Sequence, residues 1–291
     1  MTRLRIILIT FLSLVAFAAN SLITRFALEE TAIDGTSFIM LRVVSGALFL
    51  WLYLRFKKEN KSHKAGSWLA AGALFIYAVS FTYGYGLIAA GTGALLLFGS
   101  VQITMTLQGY REGERLNAIQ IVGFILAIIG LIILMLPGIS APSFSGALLM
   151  CISGVAWGMY TLQGRGSHNP AMATAGNFIK AAPMAIVLWL IVYSLTKYSG
   201  DNTINLASDG VIYALISGIV TSGIGYVIWY SVLPALKATQ AAIIQLSVPL
   251  LVTLAGALLL NESITLRVTF ASITILVGTI LVLTFKKSPK K

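Results

Sequence analysis

The chain contains ten runs of about 20 apolar residues, separated by breaks of only a few positions, and a run of that length is what a helix needs to cross a bilayer. The runs cover residues 5–27, 34–55, 66–89, 92–110, 117–136, 145–164, 171–196, 209–233, 239–260 and 267–285. The break at Ala89-Ala90-Gly91 is required by length, because one helix through it would be about twice the bilayer thickness. Hydrophobic residues form 58% of the chain and charged residues only 10%. That leaves too little polar surface to cover a soluble core. A soluble enzyme, a nucleic-acid-binding module and a disordered chain are all excluded. The expected fold is all-α and polytopic, with ten transmembrane helices. Cys151 is the single cysteine, which excludes an internal disulfide and a cysteine-based metal site.

The net charge of +11 is a topology signal. Ten spans put both termini on one side, together with Arg3, Arg5, Arg55, Lys57, Lys58, Lys61, Lys64, Arg111, Arg115, Arg165, Lys237, Lys286, Lys287, Lys290 and Lys291. Lys197 and Arg267 fall on the other side, with Arg25 close to it. The excess of Lys and Arg marks the cytoplasmic face. The expectation is a multi-pass protein of the cytoplasmic membrane with both termini cytoplasmic, in contact with membrane lipids as a monomer or homodimer.

Shifting the sequence by about 140 residues pairs its halves. Ser13, Val15, Ala16, Leu22 and Arg25 recur as Ser153, Val155, Ala156, Leu162 and Arg165. Further along, Tyr83, Thr92, Ala94 and Gly109 recur as Tyr230, Thr239, Ala241 and Gly256, and Glu114 and Gly130 as Glu262 and Gly278. The expected division is 1–140 and 141–291, five spans each. An odd number of spans inverts the second copy across the membrane, an architecture of many secondary transporters.

Two stretches carry a family resemblance: GLIAAGTGALLLFGSVQITMTLQGYREGERLN from Gly86 to Asn117, and ALKATQAAIIQLSVPLLVTLAGALLLNESIT from Ala235 to Thr265. They resemble the paired signature of the EamA family, in the drug/metabolite transporter superfamily. Pro249, Glu262 and Glu114 match the family pattern, whereas Gln102 stands where a mid-helix proline is usual, so a kink is expected in the second half only. The resemblance implies a cavity lined by the first, third, fourth, sixth, eighth and ninth helices. It also implies transport of small organic solutes, without cofactor, metal, nucleic acid or catalytic residues.

Ionisable residues deep in a span are costly and are functional candidates. Arg42 lies about 12 Å from the outer edge and Lys180 about 13 Å from the inner edge, at 1.5 Å per residue. Each admits two roles: a structural cation bonded to carbonyls at helix ends, or a cavity cation for a carboxylate or phosphate. The other candidate binding residues are Asn20, Tyr77, Tyr83, Gln102, Trp157, Tyr160, Tyr226 and Gln245. No Asp or Glu lies well inside a span, which points to uniport or exchange rather than a carboxylate proton relay. Glu114 and Glu262 precede helix starts, near Asn117 and Thr265 as caps, and a structural role is expected of both. The Gly154-x-x-x-Gly158 pair predicts close helix packing. The leading reading is an exporter of amino acids or similar metabolites by alternating access. The alternatives are an exchanger of phosphate-linked anions clamped by Arg42 and Lys180, and a non-transporting membrane assembly protein.

Overall fold

The computed structural model describes residues 3–56, 66–113, 117–136, 142–199 and 204–284. All secondary structure among them is helical. The helices are α1 (Arg3–Glu30), α2 (Gly35–Phe56), α3 (Trp68–Tyr85), α4 (Ala90–Arg111), α5 (Ala118–Met135), α6 (Phe144–Gly164), α7 (Pro170–Ser199), α8 (Ser208–Ala235), α9 (Ala238–Leu259) and α10 (Leu266–Thr284). Each predicted span is a helix. Eight are long and apolar enough to cross a membrane, while α5 and α10 contribute the shorter apolar stretches Ala118–Gly130 and Leu266–Gly278. Glu114, Arg115, His63, the basic residues from Lys57 to Lys64 and from Lys286 onward, and the expected boundary at residue 140 lie outside the described residues.

Local chemistry sets the helix starts. Ser67, Ser143 and Thr265 accept from backbone N–H groups three residues on, at the heads of α3, α6 and α10. Asn117 and Gln120 form a reciprocal capping box on α5. Asn169 caps α7 ahead of Pro170, whose missing N–H costs nothing at a first helical position.

The packing follows a two-fold rule. Helices α2, α4 and α5 pack on their own counterparts α7, α9 and α10. The contacts of α3 with α6 and α7 are matched by those of α8 with α1 and α2, and α4 on α6 by α9 on α1. In lipid, helices associate where small residues let backbones approach. Gly130 faces Ile275, and the matching Gly278 faces the Gly123 carbonyl, so α5 and α10 interlock symmetrically. Gly154 lies against the Leu97 carbonyl and Gly158 against Thr104, so this pair seats α6 on α4 as expected.

Two helices depart from regular geometry. In α8 the segment Ser217–Ile224 is a π-helix. Gly218 in that segment lies against the Arg42 carbonyl and Ser45 Oγ of α2, where any Cβ would collide. In α9 the helix breaks at Leu246, between Ala238–Gln245 and Ser247–Leu259. Pro249 has no N–H to give the Gln245 carbonyl, four residues earlier, so the ladder is interrupted there. The α4 helix, with Gln102 at the corresponding place, is continuous.

Candidate functional site

The π-helical turn of α8 presents Ser217, Thr221 and Ser222 on one side, toward α1 and α2. Ser217 Oγ and Thr221 Oγ1 donate to Asn20 Oδ1 at 2.7 and 2.9 Å. Asn20 Nδ2 in turn donates to the Tyr77 hydroxyl at 3.1 Å. Arg42 donates from Nε to Ser222 Oγ at 3.1 Å and from Nη2 to the hydroxyls of Tyr77 and Tyr226 at 3.3 and 2.9 Å. The two phenols are themselves bonded at 3.1 Å. One network thus ties α1, α2, α3 and α8. π-Helical turns recur at functional sites because the extra residue re-aims side chains that an α-helix would direct elsewhere.

Arg42 is 1% exposed, and none of these partners is a carboxylate. The guanidinium lies over the rings of Phe81 and Tyr77, at 5.0 and 5.4 Å from their centroids. Ring faces and hydroxyl oxygens stabilise the cation without neutralising it. Its Nη1 is buried and without a hydrogen-bond partner.

An aromatic cluster continues the network. The Trp157 ring is 4.9 Å from Tyr77, 4.7 Å from Tyr226 and 5.4 Å from Tyr160, on which it stacks. Phe17 meets Trp157 and Trp229 edge-on. Trp157 Nε1 donates to Gln245 Oε1 at 2.6 Å, and Gln245 Nε2 donates to the Ala241 carbonyl. This amide therefore sits at the break in α9 and is held by both α6 and its own helix.

Toward the predicted cytoplasmic side lies a vestibule of about 430 Å³, lined by Gly66, Ser67, His168, Asn169, Asn177 and Tyr230 among others. Tyr230 donates to the Tyr160 carbonyl at 2.7 Å and separates the vestibule from the cluster. Within the bundle, Phe17, Tyr77, Phe81 and Trp157 border a void of about 10 Å³, so the centre is closed in this conformation.

The predicted outer side is held by Arg25 and Glu262. Arg25 donates to the Tyr85 carbonyl at 2.8 Å and pairs with Glu29 at 2.9 Å and Glu262 at 3.4 Å. Glu262 also accepts from Ala90 N at 2.7 Å and from Gly91 N at 3.5 Å. Glu262 has the structural role expected of it, but on another helix. It caps α4 in the first half, where Ala89 offers no capping oxygen, while Thr265 caps α10. On the opposite side Arg165, the repeat counterpart of Arg25, pairs with Glu112 at 2.8 Å. Hydrogen bonds from Arg165 and Gln108 hold the Glu112 carboxyl below its ordinary pKa.

Of the residues singled out from the sequence, Asn20, Arg42, Tyr77, Trp157, Tyr160, Tyr226 and Gln245 converge. Gln102 is buried on α4 and bonds back to Thr106 at 3.1 Å. Tyr83 is 38% exposed, and its hydroxyl meets Thr36 Oγ1 at 2.6 Å. Lys180 donates to the Gly66 carbonyl at 3.0 Å. Gly66, just before α3, lies at φ 63° against the backbone of Gly176 and Asn177 on α7. The Lys180 ammonium is held at the Gly66 carbonyl while Arg42 is bonded to Ser222, Tyr77 and Tyr226, so the two-cation clamp of Arg42 and Lys180 is not assembled. Sequence reasoning missed Ser217, Thr221 and Ser222. Their signal was a Ser-Gly-x-x-Thr-Ser-Gly run inside an apolar span.

Among the described residues, a bundle of ten helices with a closed polar centre between the vestibule and the Arg25–Glu262 ion pair is the frame of a carrier. The family model for EamA-like transporters matches residues 4–136 and 144–284. The chain belongs to the EamA-like transporter family. It is therefore a multi-pass membrane transporter and not an enzyme. An uncharacterized protein of Pseudomonas aeruginosa is 48% identical over 279 residues, 96% of this chain and 94% of that protein. An uncharacterized transporter of Archaeoglobus fulgidus is 28% identical, over 70% of this chain and 71% of its own length. A probable amino-acid metabolite efflux pump of Salmonella typhimurium is 26% identical, over 60% of this chain and 61% of its own length. A crystal structure at 16% identity superposes with a TM-score of 0.66 over 95% of this chain and 96% of that chain, a likeness of fold alone.

Proposed function

We propose that this transporter is an exporter of amino acids or similar small amphipathic metabolites across the cytoplasmic membrane, with both termini cytoplasmic. The observation that carries the reading is the central cluster. Its polar and aromatic groups come from α1, α2 and α3 of the first repeat (1–140) and from α6, α8 and α9 of the second (141–291). Solute enters from the vestibule past Tyr230 and Tyr160, and docks among Asn20, Tyr77, Trp157, Tyr226 and Gln245. It leaves outward when the Arg25–Glu262 tie to α4 opens and the two halves exchange roles. Among the described residues the cluster contains no carboxylate, so uniport or exchange is the mode its residues support. The relative named as an amino-acid metabolite efflux pump supports the direction and the solute class.

The test is counterflow in proteoliposomes. Vesicles loaded with a panel of unlabelled amino acids, organic monocarboxylates, nucleosides or sugar phosphates are diluted into trace labelled solute. Transient accumulation of one of these solutes, reduced by Trp157→Ala with the fold intact, is the expected result. Absence of counterflow for every solute overturns the reading.

A further inference from the structure

Among the described residues Arg42 has no counter-charge at the centre of the bundle, and its hydrogen bonds leave a specific remainder. A guanidinium has five N–H bonds. One on Nε is taken by Ser222, and those on Nη2 face Tyr77 and Tyr226. Both on Nη1 are without a partner, in a side chain that is 1% exposed. A buried donor left unpaired is costly, and more so when it is charged. A merely structural arginine could have been met by a carbonyl or a carboxylate. Here its partners are three hydroxyls, which accept from the cation and can turn to donate to an anion beside it.

We infer that the substrate is an organic monoanion whose carboxylate is received at Arg42 Nη1, with its apolar or aromatic body against Trp157 and Tyr160. The inference rests on the central cluster being the substrate site. Charge balance selects the class. A carrier must close over its cargo, and closing over net charge in a low-dielectric core is penalised. One carboxylate neutralises Arg42. A zwitterion's carboxylate can also pair with Arg42, but its ammonium is then left over, and the described residues of the cluster hold no carboxylate to meet it. A dianion brings one charge too many, and Lys180 is occupied at the Gly66 carbonyl. The ring faces of Trp157 and Tyr160, stacked at 5.4 Å, supply the apolar wall.

The experiment measures binding to purified protein in nanodiscs with four probes: indole-3-acetate, its neutral amide indole-3-acetamide, tryptophan and inorganic phosphate. Indole-3-acetate is expected to bind at least tenfold more tightly than each of the others. Arg42→Gln should remove the difference between acid and amide, and Arg42→Lys should restore part of it. The acid–amide comparison on the unmodified protein decides the matter even where an Arg42 variant fails to fold. Equal binding of acid and amide, tightest binding of tryptophan, displacement of the acid by phosphate, or no binding of any probe each overturns the inference. Counterflow of neutral or zwitterionic solutes in any of those cases leaves the carrier reading standing. Absence of all counterflow removes both.

Discussion

Replacing Glu262 with Gln isolates the charge of the outer tie without changing its shape. The carboxylate accepts from Ala90 N at 2.7 Å and from Arg25 Nε at 3.4 Å, and the two side chains are 14% and 16% exposed. A hydrogen bond to a charged group contributes about 1.5–3 kcal/mol, against about 0.5–1.5 kcal/mol for a neutral one. The Ala90 bond therefore weakens by about 1–1.5 kcal/mol. The Arg25 contact, long and partly exposed, adds about 0.5 kcal/mol. Arg25 is not stranded, because Glu29 and the Tyr85 carbonyl still hold it. If these bonds break when the outer side opens, a loss of about 2 kcal/mol shifts the closed–open balance about 30-fold. The reporter is Ser21→Cys in a Cys151→Ser background, since Ser21 is buried on α1 one turn inward from Arg25. An impermeant maleimide applied from outside should label it about 30-fold faster in Glu262→Gln. Arg25→Gln should couple to Glu262→Gln by only about 0.5 kcal/mol, because the long Arg25–Glu262 contact is the one interaction that both changes remove. An unchanged labelling rate in folded Glu262→Gln protein refutes the outer-tie reasoning.

Three further outcomes are expected. Lys180→Met removes the bond to the Gly66 carbonyl and should lower stability by about 1–2 kcal/mol, with transport per folded molecule unchanged; a tenfold loss of transport in well-folded protein contradicts the position of this side chain away from the site. Gly218→Val places a Cβ against the Arg42 carbonyl and should destabilise by about 1–3 kcal/mol, whereas Gly72→Val, with open space around its Cβ position, should leave the melting temperature unchanged; equal melting of the two variants goes against the α2–α8 packing. Cysteines at positions 62 and 140 should react with impermeant reagent from opposite sides of the membrane, and labelling of both from one side overturns the topology.

Much of this protein was legible in its sequence because the relevant quantities are one-dimensional. Apolar run length against bilayer thickness yields the helices, including a separation of α3 from α4, although the break expected at Ala89-Ala90-Gly91 falls at Gly86–Ala89. The Gly130 and Gly278 repeat pair carried the symmetry that later appears as the interlocking of α5 with α10. Seven of the ten side chains nominated for binding converge, because a polar or aromatic residue deep in a span has few other uses. Arg42 and Lys180, by contrast, were indistinguishable in depth and charge. Only the tertiary structure separates them, because Lys180 depends on where Gly66 sits beside α7, and Arg42 on how α8 is rotated against α2. That rotation is set by Gly218 against the Arg42 carbonyl and by the π-helical turn, which shifts the register and brings Ser217, Thr221 and Ser222 to Asn20 and Arg42. In the same way Glu262, expected to act at the start of the helix that follows it, caps a helix 172 residues away in sequence. Periodicity along the chain states which residues share a face. It does not state which face another helix will meet, because that is decided by close packing between segments distant in sequence.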